Sequence, residues 1–199
     1  ANRFEKYCEL VRSVLWDNSK CYDELKRSCE LLDKILGGAF ERDLAKDSSI
    51  FSKAKDYIED KSGIFLIEFE GYWRDQNKSG VPLISGLFCV YECTHDKQEK
   101  TVSLNKLLYI GEADNARDRI ANHEKYNQWK KHVESGNTLC FTFGAIRSLN
   151  RERCKAAMIC EHKPPENTEY KNSFPFDHTK VILSGKTAFL TEAFAFNRT

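Results

Sequence analysis

A pair of apolar runs separated by a short polar segment narrows the possible folds of this chain more than any other feature. The first run covers residues 87–93, the second covers residues 104–110, and the segment 94–101 between them is mostly polar. Apolar runs of this length that are rich in branched and aromatic residues predict strands, and the polar segment predicts a hairpin loop. Gly111 then permits a tight exit from the second strand. The chain is therefore expected to contain an antiparallel sheet.

A helix is predicted directly after this hairpin. Asp114 is a suitable N-cap, and Ile120 and Trp129 place apolar side chains along the segment that follows. Arg119 and His123 are four positions apart, so their side chains are expected to lie on the same face of this helix.

Three further segments have the residue pattern of strands, and one has that of a helix. The predicted strands are residues 64–70, 139–146 and 181–183, and the predicted helix covers residues 151–162. This helix is expected to end before Pro164, because a residue that precedes proline is biased away from helical angles. Together the segments predict an α+β fold, with a small antiparallel sheet flanked by helices.

The first part of the chain has a different pattern. Residues 1–61 carry apolar side chains at helical spacing, interrupted by the helix-ending pair Gly37 and Gly38. We therefore expect a helical N-terminal region over residues 1–61 and a second domain over residues 62–199 that includes a C-terminal tail. The N-terminal helices carry no chemical constellation, so they are expected to pack on the second domain or to contact DNA or a second protomer.

The overall charge gives no strong indication of a nucleic-acid partner. The 199 residues carry a formal net charge of +1, whereas non-specific nucleic-acid binders are usually strongly basic. Basic residues nevertheless cluster after the hairpin, where Asp118 and Glu124 partly offset them. This cluster could bind DNA, or it could form a solvated helix face. Its candidate DNA-binding members are Arg117, Arg119, Lys125, Lys130 and Lys131.

The cysteines and the apolar runs indicate which cellular compartment the chain belongs to. Eight cysteines are scattered inside apolar patterns without a C-x-x-C pair, which predicts free thiols in a reducing cytoplasm. No apolar run approaches the length of a membrane span, so a membrane partner is not expected.

Two short motifs resemble the core of a GIY-YIG nuclease domain. They are Gly86-Leu87-Phe88 and Tyr109-Ile110-Gly111, and an R-x-x-x-H pattern follows in the next predicted helix. A helix that ends before two prolines, with an asparagine two positions after them, resembles the last motif of that family. These pieces occur in the family's order over residues 64–183, which is more than half of the chain.

The resemblance implies a nuclease that hydrolyses DNA phosphodiester bonds around one bound phosphate with the help of Mg²⁺ or Mn²⁺. Tyr109 would be the tyrosine of the second motif and would face the phosphate. Arg119 would bind the phosphate, and His123 would support the network between tyrosine and phosphate. Asn167 would correspond to the asparagine of the last motif. Cutting both strands with one site per chain would favour a homodimer.

Two positions depart from the family pattern. Phe88 stands where the tyrosine of the first motif is expected, and it has no hydroxyl group to accept a proton. Tyr91 lies three residues further on, and this odd separation should turn its side chain to the opposite face of the strand unless a bulge intervenes. Lys155 stands where a metal-binding glutamate is expected, and an ammonium group does not bind magnesium. Glu152, three residues earlier in the predicted helix, is the candidate metal ligand that could replace it.

Three functions therefore stay open on the sequence. The chain could be an active metal-dependent nuclease, an inactive GIY-YIG-fold module that binds DNA, or an interaction protein that uses its N-terminal helices. Magnesium dependence separates the first two. Salt-sensitive binding to DNA separates the second from the third, because phosphate contacts release counterions.

Overall fold

A computed structural model describes residues 63–96, 98, 99 and 101–199 of the chain. The helices predicted within residues 1–61 lie outside the described residues. The strands are β1 (Ile64–Arg74), β2 (Gly86–Asp96), β3 (Thr101–Ala113), β4 (Thr138–Ala145), β5 (Thr179–Gly185) and β6 (Ala193–Phe196). The helices are a 3₁₀ helix (Asp75–Gly80), α1 (Ala116–Ala121), α2 (Tyr126–Lys131) and α3 (Ser148–His162).

The six strands form one sheet in the order β3-β2-β4-β1-β5-β6. The α+β class is confirmed, and four neighbouring pairs are antiparallel as predicted. The fifth pair, β1 with β5, is parallel, so the predicted antiparallel sheet is in fact mixed. The apolar pattern of a strand indicates which face is buried but not the direction of its neighbour, and β6 is too short to give a signal of its own.

A bulge in β3 changes the direction in which its side chains point. Val90 of β2 lies opposite Tyr109, but the next residue of β2, Tyr91, lies opposite Leu107, which leaves Leu108 without a counterpart. Leu108 and Tyr109 consequently both pack on the same side of the sheet as Phe88. Tyr91 packs on the other side, as its odd separation from Phe88 predicts.

Each face of the sheet has its own hydrophobic cluster. On one face α3 buries Cys154, Ala157 and Met158 against the strands. The other face is covered by the 3₁₀ helix, α1 and α2, and its buried residues are here called the Trp129 cluster. The Trp129 cluster consists of Val81, Phe88, Val90, Leu108, Ala116, Ile120, Trp129, Leu139, Phe141 and Phe143.

The helix predicted from Asp114 to Trp129 is in fact two short helices, α1 and α2. The N-cap of α1 is Asn115, whose side chain accepts a hydrogen bond from the Asp118 N–H, so the predicted cap at Asp114 was wrong by one residue. The helix stops because the side chains of Asn122 and His123 bond to nearby main chain: Asn122 Nδ2 donates to the Asp118 carbonyl at 3.1 Å. Such local bonds compete with helical hydrogen bonds. His123 therefore lies in the connection between the helices.

The prediction of α3 is confirmed, although the helix begins three residues earlier than expected. It ends before Pro164, with Lys163 in the left-handed region at a φ of 46°. Within the described part of the chain, no helix has the length and apolar character needed to cross a membrane. The five cysteines in that part are all free thiols.

Gly111 lies inside β3 rather than at its exit, and what requires glycine there is the close approach of Phe88. A Cβ atom at this position would lie 2.3 Å from Cζ of the fully buried Phe88 ring. We expect Gly111→Ala to lower the free energy of unfolding by about 2 kcal/mol, because the packed ring has no free space to move into. Urea denaturation measures this change. In a Phe88→Leu background the alanine should cost less, and equal costs in the two backgrounds would contradict the explanation.

Candidate functional site

Three of the residues singled out by the motifs meet in an aromatic group on the α1–α2 side of the sheet. The Tyr109 ring centroid lies 5.2 Å from that of His123 and 6.1 Å from that of Phe88. Trp129, which the sequence did not indicate as a site residue, completes the group at 4.4 Å from His123. The bulge at Leu108 makes this arrangement possible, since it turns Tyr109 toward Phe88.

His123 is buried, and its hydrogen bonds define which nitrogen carries the proton. Its Nδ1 accepts a hydrogen bond from the Lys125 N–H at 3.0 Å, so the proton of the neutral ring is on Nε2. Within the described part of the chain, neither that Nε2 nor the Trp129 Nε1 has a hydrogen-bond partner. Burial, and then the positive charge of Arg119, lower the pKa of His123 to about 4. The ring is therefore neutral at pH 7 and presents no free basic nitrogen to a water molecule.

Arg119 presents its guanidinium group at the surface beside His123. The side chain is 42 % exposed, and it binds both carboxylate oxygens of Glu124, at 2.8 Å from Nη1 and 2.9 Å from Nη2. The oxygen bound to Nη1 also lies 3.7 Å from His123 Nδ1. The arginine and the histidine are thus neighbours, although they do not share one helix as predicted. A carboxylate occupies the anion position that they form.

Tyr109 is half-buried at the edge of the anion position that Arg119 and His123 form. Burial raises the pKa of its hydroxyl, with Arg119 opposing the effect, so the hydroxyl stays protonated near neutral pH. The Lys125 ammonium lies 5.6 Å from the Tyr109 ring centroid and donates a hydrogen bond to the Glu166 carbonyl at 2.6 Å. Tyr109 and Lys125 therefore add a hydroxyl and a cation beside the Arg119 fork.

The residues around Lys155 do not fit a divalent cation. The Lys155 ammonium lies 3.7 Å from the Glu112 carboxylate, which also binds Arg151 Nε at 2.8 Å. Two cations thus share the Glu112 carboxylate, and one of them, Arg151, also pairs with Asp114. Glu152 accepts a hydrogen bond from the Tyr170 hydroxyl at 2.8 Å and is exposed. Across residues 63–96, 98, 99 and 101–199, no three histidine, cysteine, aspartate or glutamate side chains are grouped closely enough to hold a metal ion.

The structure gives the predicted basic residues different surroundings. Arg117 Nε donates to the Val81 carbonyl at 2.6 Å and so holds the loop before β2. Lys130 lies 3.5 Å from Asp75, which the sequence did not indicate, and Lys131 is exposed at the end of α2. Lys125 lies over the Tyr109 ring, and Arg119 is connected to His123 through Glu124.

Asn167 lies against the outer edge of β3. Its Oδ1 accepts a hydrogen bond from the Ile110 N–H at 2.9 Å, and its Nδ2 donates to the Ile110 carbonyl at 2.8 Å. The side chain is buried, and both of its polar atoms are satisfied by main chain. This placement supports a role in fixing the strand that carries Tyr109.

Several residues at the site were not found by sequence reasoning. Glu112 directly follows the second motif, and Arg151 precedes Lys155 by one helical turn. Their closeness to the motif positions in the sequence could have indicated both as site residues. No comparable signal marked Asp75, because two of its three partners, Tyr126 and Lys130, are distant in sequence. Comparison with known proteins gave no match to any protein family, curated protein or solved structure.

Proposed function

We propose that this chain is a GIY-YIG-type domain that binds the phosphodiester backbone of DNA without hydrolysing it. The observation that carries the proposal is the Glu124 carboxylate, held by both arms of Arg119 and lying beside His123. A phosphate presents oxygens of the same charge and similar geometry, so it can replace the carboxylate in the Arg119 fork.

Displacing Glu124 from Arg119 requires little free energy. Both side chains are exposed, at 42 % and 63 %, and ion pairs between exposed groups contribute about 1 kcal/mol or less. A phosphate arriving at this position gains the Arg119 fork together with the nearby Lys125 ammonium and Tyr109 hydroxyl. DNA binding also releases counterions, which favours association at low salt.

The same group of residues lacks what hydrolysis needs. Phe88 supplies no hydroxyl, and the acceptor nitrogen of His123 is already bonded to the Lys125 N–H. Lys155 adds a cation where the resemblance implies a metal-binding carboxylate, and it pairs with Glu112. Without a base for the water nucleophile, in-line attack on the phosphate is not accelerated.

DNA affinity tests the binding half of the proposal. Arg119→Ala should weaken binding of a fluorescent DNA duplex about tenfold in anisotropy measurements, and should lower the slope of log Kd against log salt by about one. Arg198→Ala is the matched control, because Arg198 is also an exposed arginine paired with a carboxylate, that of Asp177. Equal affinities for the two variants would contradict a phosphate site at Arg119.

Plasmid cleavage with Mg²⁺ or Mn²⁺ tests the other half. The parent chain should not cut, and the Phe88→Tyr/Lys155→Glu double variant shows whether the two departures are what prevents cutting. Cleavage by the parent would mean that the active metal-dependent nuclease is the correct reading, with Glu152 as its candidate ligand. Substituting Glu152 with glutamine would then abolish the cleavage.

A further inference from the structure

The phosphate position proposed at Arg119, beside Tyr109, His123 and Lys125, is here called the Arg119 site. A second cationic group lies on the same side of the sheet and is built around the ring of Tyr126. The Lys78 ammonium lies 4.4 Å from the ring centroid, and the Lys130 ammonium lies 4.8 Å from it. The Tyr126 hydroxyl donates to Asp75 at 2.6 Å. These four residues, Asp75, Lys78, Tyr126 and Lys130, are here called the Tyr126 group.

The Tyr126 group holds its two ammonium groups in defined positions and leaves an excess of positive charge. Lys78 donates to Asp75 at 3.0 Å and to the Tyr126 hydroxyl at 3.2 Å. Lys130 lies 3.5 Å from the other oxygen of Asp75. Two cations thus share one carboxylate and one aromatic face, so much of the side-chain entropy that an anion would have to remove is already lost.

The Tyr126 group is close to the Arg119 site. Trp129 lies between them, with its ring centroid 6.4 Å from Tyr126 and 5.1 Å from Tyr109. Tyr126 and Lys130 both belong to α2, and Lys78 comes from the 3₁₀ helix that packs on the same face. Successive phosphates of one strand rise by about 3.4 Å along the axis of a duplex, so DNA bound at Arg119 could bring another of its phosphates to the Tyr126 group.

We infer that Lys78 and Lys130, positioned by Tyr126, bind a second phosphate of the DNA whose first phosphate is bound by Arg119. The inference rests on the proposed function. It assigns a partner to Lys78, which lies outside every motif, and it gives Lys130 a defined place in the interface. The contact is independent of base sequence, because it reads only phosphate charge.

Salt-dependent binding to a fluorescent DNA duplex tests this inference with the full chain. Lys78→Ala and Lys130→Ala should each weaken binding about threefold to fivefold and lower the salt slope by about one, and the double variant should combine both losses. Lys186→Ala is the matched control, since Lys186 also lies over a tyrosine ring, that of Tyr72, at 5.7 Å. It should bind like the parent.

The outcomes separate this inference from the proposed function. If Arg119→Ala loses affinity while the Lys78/Lys130 double variant keeps both the affinity and the salt slope of the parent, the second site is wrong and the first one stands. If the parent shows no salt-sensitive binding, the proposed function fails and the second site fails with it. Circular dichroism of each variant confirms that a loss of binding is not a loss of folding.

Discussion

Replacing Asn167 with alanine is expected to lower the free energy of unfolding by about 3 kcal/mol. The buried amide satisfies both the N–H and the carbonyl of Ile110, which point away from β2 at the edge of the sheet. The neighbouring Glu166 N–H also bonds to the Leu108 carbonyl at 3.1 Å, so this segment closes the strand edge much as another strand would. Truncation leaves two buried main-chain groups unpaired, at about 1–3 kcal/mol each.

Urea denaturation followed by circular dichroism measures the effect of Asn167→Ala. Asn127→Ala is the control, because Asn127 is exposed on α2 and its loss should change stability by no more than about 0.5 kcal/mol. Asn167→Asp should also destabilise, since a carboxylate cannot donate to the Ile110 carbonyl. If the midpoint of Asn167→Ala matches that of the control, the amide is not needed for folding and its resemblance to a catalytic asparagine gains weight.

Acidification is expected to remove about 3 kcal/mol of stability through His123. The folded state holds the pKa of this ring at about 4, below the ordinary value of about 6.5 that applies to the unfolded chain. Between these two pH values the unfolded state binds a proton that the folded state does not, so stability falls as the pH is lowered. Above pH 6.5 both states are neutral at this position and the effect is absent. The side chain is only 1 % exposed, so solvent screening does not reduce the effect.

Denaturation midpoints at pH 7.5, 5.5 and 4.5 test the role of His123. His123→Gln should flatten the pH dependence over this range, although it also changes the packing and lowers stability at every pH. His178→Gln is the control, because His178 is exposed near the C-terminus. A parent and a His123→Gln variant that lose stability in parallel would show that another group is responsible. His162 is a candidate for that group, since burial lowers its pKa as well.

The sequence predicted the elements whose pattern is local and regular. The strands around Phe88 and Tyr109 are continuous apolar runs bounded by polar segments, α3 has apolar residues at helical spacing, and all three elements are present. The opposite direction of Tyr91 followed from the same period. What could not be predicted depends on contacts between distant segments or on single side chains.

The division of one predicted helix into α1 and α2 depends on single side chains. Apolar spacing continues from Ile120 to Trp129, but the side chains of Asn122 and His123 bind nearby main chain and end the helix between them. The ion pairs of Glu112 depend on contacts between distant segments, because Arg151 and Lys155 reach it from a helix about forty residues away in the sequence. No residue pattern within β3 indicates that contact.

The bulge at Leu108 reverses the side-chain phase of β3 just before Tyr109. Before it, Leu107 points toward α3, whereas after it Tyr109 and Gly111 point toward Phe88. A second irregularity lies nearer the hairpin loop, where Asn105 has no counterpart in β2. A change of register at Asn105 would alter how residues 101–104 pair with β2 without turning Tyr109 away from Phe88. The pairing near the hairpin loop can therefore vary in evolution while the direction of the Tyr109 side chain stays the same.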